Sequence, residues 1–114
     1  MTITSNAKKI ENFYFAEKLI NERNHKVLDV RSPVLYRDGT IFEAPNAPLR
    51  NFITEFIRVR KDTNKIILVG SKDEQSDLDS CIRYANSFQL PIDKKELKLS
   101  YVLFEDMIAS KSKK

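Results

Sequence analysis

The chain has 114 residues, 41% of them hydrophobic and 32% charged, with a formal net charge of +4. That describes one globular domain, long enough to bury about two-thirds of its unfolded surface. It excludes a helical membrane span, because no apolar run approaches the ~18 residues one needs. It also excludes an internal disulfide and a four-ligand Cys/His zinc site, because Cys81 and His25 are the only residues of their types.

Met1 to Lys9 has no apolar core followed by a cleavage site, so no secretory signal is expected. A lone cysteine suits a reducing compartment, and the expected location is cytoplasmic. Residues 1–7 read as an N-terminal extension, 8–109 as the domain, and 110–114 as a basic, solvated tail. Ile10 falls in a short edge strand. Phe13 to Arg23 places Ala16, Leu19 and Ile20 on one side and is expected to be helical, with Asn12 as its N-cap.

Lys26-Val-Leu-Asp-Val30 is a short apolar run that fits a buried strand. Leu49, Phe52, Ile53, Phe56 and Ile57 take the positions i, i+3, i+4, i+7 and i+8, one face of a helix running to Arg60. Pro48 is placed to start it, and Arg58, Arg60 and Lys61 complement the negative end of its dipole. Lys65-Ile-Ile-Leu-Val69 is apolar throughout, as a central parallel strand covered on both faces is. Leu78, Cys81, Ile82 and Ala85 mark the apolar face of the next helix. Glu96-Leu-Lys-Leu99 alternates like a strand. Leu103, Phe104, Met107 and Ile108 belong to a last helix, with Ser100 as its expected cap. Strand and helix in alternation predict an α/β layer with a mainly parallel sheet.

Between the first two long strands lies a denser pattern: Asp29-Val30-Arg31, then Tyr36, Gly39-Thr40-Ile41, and Ala44, Asn46 and Pro48. It resembles the signature near the front of rhodanese-like (sulfurtransferase) domains. The resemblance covers roughly residues 8 to 108 and is stronger in the first half. It implies a three-layer α/β sandwich with a mainly parallel five-stranded sheet flanked by helices. It also implies architectural roles for Asp29, Arg31, Gly39 and Asn46, with Asp29 tethering neighbouring loops and Arg31 pairing with an acid. As one of two glycines in the chain, Gly39 is expected to supply a positive φ in a turn.

In that family the strand corresponding to Lys65–Val69 ends at a nucleophilic cysteine, which heads a loop wrapping an anion pocket. This sequence reads Gly70-Ser71-Lys72-Asp73-Glu74-Gln75-Ser76 there. Gly70 stands at the cysteine's position and Gln75 where many members carry Arg. Leu99-Ser100 and Phe104 stand where paired glycines and a Trp are common. Sulfur transfer needs a thiolate to attack and carry a sulfane sulfur, and glycine has no side chain. Asp73, Glu74 and Asp77 face one Lys72, a charge balance that repels a dianion and favours a helix start instead.

Cys81 reads as a buried, inert thiol on an apolar helix face, and His25 as a loop residue. No catalytic residue, metal or cofactor is therefore expected. The expected function is that of a catalytically inactive rhodanese-like domain that binds another protein, preferably a basic one. Its contact surface would be the remnant loop Gly70–Ser76 with the loop from Asp38 to Pro48, where Phe42 and two prolines offer apolar contact if exposed. The alternative is an active sulfurtransferase, or a related loop phosphatase or arsenate reductase, using Ser71 or Cys81; no Cys-x5-Arg is present. Nucleic-acid binding would rest on scattered charge alone, and a membrane partner is not expected.

Overall fold

A computed structural model describes residues 7–88 and 96–112. Nine regular elements organise them: β1 (Lys8–Lys9), α1 (Phe13–Arg23), β2 (Lys26–Asp29), α2 (Pro33–Arg37), α3 (Phe52–Arg60), β3 (Lys65–Gly70), α4 (Gln75–Ser87), β4 (Lys98–Leu103) and α5 (Phe104–Ser112). Short 3-10 turns at Leu49–Asn51 and Lys72–Glu74 lead into α3 and α4. Residues 1–6 of the expected extension and 113–114 of the expected tail lie outside the described residues.

The four strands pair in the order β1-β4-β3-β2, and every pairing is parallel. The chain crosses the sheet from β1 to β2 over α1, then returns through β3 to β4 over α3 and α4. Direction and face reverse together, which keeps the crossovers to one hand. Helices α3 and α4 cover one face with Phe52, Phe56, Leu78, Cys81, Ile82 and Ala85, packed on Leu28, Ile66 and Leu68. Helices α1 and α5 cover the other with Phe13, Ala16 and Met107, packed on Val27, Ile67, Val69 and Val102. Alternate residues of β3 thus serve two cores, which is why that strand is apolar at every inner position. No described helix is long and apolar enough to cross a membrane.

The sheet has four strands among the described residues, where five were expected. Asn46 stands beside the edge as a single parallel pairing with Asp29, held by Asp29 N–H to Pro45 O and Ala47 N–H to Asp29 O. Prolines at 45 and 48 flank it and have no N–H to extend a ladder.

β4 begins two residues later than Glu96 and runs on to Leu103, because Val102 and Leu103 stay in register with Val69 and Gly70. Ser100 is therefore mid-strand and caps nothing, and α5 starts at Phe104 with no connecting loop. Ser110, Lys111 and Ser112 continue α5 rather than forming a tail. The Phe13 N–H donates to Ser110 Oγ at 2.9 Å, and Tyr14 donates to the Lys111 carbonyl at 3.1 Å. The five-residue helix α2, with Pro33 in its first turn, has too little periodicity to show in the sequence.

Asn12 caps α1 as expected, accepting from Phe15 N–H at 2.9 Å. On α3 the buried stripe is narrower than the periodicity implies. Phe52 and Phe56 are fully buried, while Ile53 on the same helix is 38% exposed. Phe56→Ala is expected to cost about 3–5 kcal/mol, against about 0.5 kcal/mol or less for Ile53→Ala. Urea denaturation of both variants measures this directly.

Candidate functional site

The carboxyl ends of parallel strands are where α/β sheets bind ligands, and the residues singled out in the sequence gather there. Asp29 ends β2 and is completely buried, as is Arg31 to within 3%. The Asp29 carboxylate accepts from Arg31 N–H at 3.0 Å and from Arg31 Nε and Nη2 at 3.0 and 2.9 Å. The Thr40 hydroxyl donates to it as well. Arg31 Nη2 also donates to the Gly39 carbonyl, and the guanidinium lies 4.1 Å from the centre of the Phe104 ring. Asn46 Nδ2 donates to the carbonyls of Asp29 and Arg31 at 2.9 and 3.0 Å. Gly39 has φ of 133°, a conformation that only glycine adopts without strain. Asp29, Arg31, Gly39 and Asn46 are thus one buried network.

The loop Gly70–Ser76 is closed by internal contacts. Gly70 is the last residue of β3 and does not have a positive φ. Its glycine requirement is steric: a Cβ there would lie 2.7 Å from a methyl of Leu78, whose side chain fills the space. Ser71 is fully buried. Its hydroxyl donates to Glu105 Oε2 at 2.6 Å and accepts from Asp73 N–H at 3.1 Å. The Lys72 N–H donates to Glu105 Oε1 at 3.0 Å, and Glu74 N–H to the Ser71 carbonyl at 3.0 Å. An internal carboxylate on α5 therefore takes the donors that an anion-binding loop would offer to its ligand.

Lys72, the loop's one cation, is held by Asp106 at 2.9 Å, which also meets Lys9 at 3.4 Å. The hydrogen bond and charge of Asp106 raise the Lys72 pKa, and the Lys72 hydrogen bond holds Asp106 below its ordinary value. For Glu105, partial burial acts upward, but the hydrogen bonds from Ser71 and Lys72 and the charge of Arg31 outweigh it, so its pKa is lowered. The Glu74 carboxylate turns across to the Ser32 N–H at 2.8 Å instead of capping a helix. Asp73, Gln75 and Ser76 are left exposed on the rim.

Phe42 is not the free apolar contact its sequence position offered. It is half-buried and stacks on Phe13, ring centres 4.9 Å apart, with φ of 58°. Cys81 is fully buried among Leu78, Ile82 and Ala85, and burial pushes its thiol up to about 12. His25 lies between α1 and β2, its ring Nδ1 3.2 Å from the Leu19 carbonyl. Among the described residues no three His, Cys, Asp or Glu side chains gather to hold a metal ion.

Sequence reasoning missed Glu105, Asp106 and Leu78 as site residues. The two acids have an ordinary explanation in the first turn of a helix, and Leu78 in an apolar stripe, so neither signals contact with residue 70 or 71. No family model, curated protein or solved structure matches this chain.

Two outcomes check this geometry. Gly70→Ala is expected to cost about 1–3 kcal/mol through overpacking, and measurably less in a Leu78→Ala background, as a double-mutant cycle in urea reads. Glu105 has a folded pKa below its ordinary 4.5, so its stabilisation is present above 4.5 and is lost as pH falls through the lower folded value. Glu105→Gln is expected to lower stability at neutral pH and to flatten its fall across the carboxylate range, measured by urea midpoints against pH.

Proposed function

We propose that this chain is a rhodanese-like domain that has lost sulfur transfer and works as a protein-binding module. The signature from Asp29 to Pro48 and a parallel α/β sheet between two helical layers support the family reading. The observation that carries the loss of chemistry is Leu78. A Cβ at position 70 would lie 2.7 Å from a Leu78 methyl, so a side chain there needs Leu78 to move.

Ser71 and Glu105 have the geometry of a hydroxyl and a base at 2.6 Å. The serine is wholly buried, however, so no substrate reaches its oxygen. Cys81 is buried with a raised pKa and supplies no thiolate at neutral pH. The contact surface is the exposed rim of the remnant loop, Asp73, Gln75 and Ser76, continued by the loop ending at Pro48. Its exposed carboxylate favours a basic partner.

Wild type and Cys81→Ser are both expected to form thiocyanate from cyanide with thiosulfate or mercaptopyruvate no faster than buffer. Turnover by wild type that Cys81→Ser abolishes would show an accessible thiolate and overturn the reading. A partner captured by wild type is expected to be lost with Asp73→Lys, while equal capture by that variant places the contact surface elsewhere.

A further inference from the structure

The opposite edge of the sheet carries a different chemistry. β1, β2, β3 and β4 begin with Lys8, Lys26, Lys65 and Lys98. Lys65 and Lys98 are direct partners on neighbouring strands, and Lys8 pairs with Ser100, two residues beyond Lys98. Residues in parallel register, and those two apart, share a face, so Lys8, Lys65 and Lys98 emerge on the same side. Like charges set opposite one another destabilise a sheet. Lys65 finds the Arg23 carbonyl at 3.4 Å at the end of α1. Lys8 and Lys98 have no ion pair among the described residues.

Beneath them lies a cleft of about 410 Å³ between α1 and the start of β4. Its apolar lining on the α1 side is Ile10, Phe15 and Leu19, and Lys8, Lys98 and His25 also line it; no carboxylate is among its described lining residues. Phe15 is 48% exposed there. The volume falls in the range of about 300–1,000 Å³ typical of small-molecule sites. An uncompensated cationic rim over an apolar floor selects a ligand with the reverse division: an anionic head and a hydrocarbon or aryl body.

We propose that this cleft binds a small apolar anion, such as a medium-chain carboxylate, with its head between Lys8 and Lys98 and its body along Phe15 and Leu19. His25 is a further lining residue of the same cleft. Its ring Nδ1 lies 3.2 Å from the Leu19 carbonyl, and the Arg23 carbonyl is a second backbone partner of the ring. The site is independent of the remnant loop, which lies at the other ends of the same strands.

The intact protein tests this by NMR, because its one histidine gives a single unambiguous ring signal. Octanoate is expected to move the His25 ring signal and the amides of Leu97 to Ser100 with Kd on the order of 0.1–1 mM. Acetate lacks the body and 1-octanol lacks the charge, and each is expected to bind at least about tenfold more weakly. Lys98→Ala, an exposed position, is expected to weaken octanoate about fivefold or more, with the circular dichroism spectrum and melting temperature unchanged. The proposal fails if octanoate leaves these signals in place, if octanol binds as tightly, or if folded Lys98→Ala binds as wild type does.

Discussion

The buried ion pair of Asp29 and Arg31 constrains everything at the carboxyl edge of the sheet. Two charges removed from water are tolerated only when close geometry and further hydrogen bonds offset their desolvation. Here those bonds come from Thr40, Gly39 and the backbone of Arg31, which obliges the chain after β2 to fold back over the pair. Asn46 completes the closure by holding the Asp29 and Arg31 carbonyls. Beyond the short helix α2, the segment from Arg31 to Asn46 is therefore shaped by one ion pair.

The same guanidinium reaches the other half of the molecule through the face of Phe104. Because α5 follows β4 without a loop, Phe104, Glu105 and Asp106 are set directly above the end of β3. The two acids then meet Ser71, Lys72 and Lys9. A missing connection thus converts a helix's first turn into the plug of a loop. Leu78 closes the same space from the opposite layer, so the loop is filled from both faces of the sheet.

These contacts redistribute charge across the domain. A helix N-terminus at the end of a parallel strand ordinarily attracts an anion, and at this edge that tendency is met from within by Glu105 and surrounded by Asp73, Glu74 and Asp77. At the amino ends of the strands Lys8, Lys26 and Lys98 are exposed, and none of the three is in an ion pair among the described residues. A net charge of +4 conceals this polarity, because it sums two edges of opposite character.

Local regularities were legible in the sequence because their causes are local. The period of Leu78, Cys81, Ile82 and Ala85, the Asn12 cap, the positive φ of Gly39 and the unbroken apolar run of β3 each follow from neighbours within a few residues. The α/β alternation and the parallel sheet follow from them, and so does the burial of Cys81. Ser100 and the end of the last strand were misplaced, since the register with β3 sets both. The sequence by itself determined the alternation of strand and helix, the parallel sheet and a glycine at the end of its central strand. Only the tertiary structure decided that Leu78 packs against Gly70, that Glu105 bonds Ser71 and that three strand-initial lysines emerge on one side, because register and packing bring together residues 8 to 90 apart in the sequence, which no local pattern encodes.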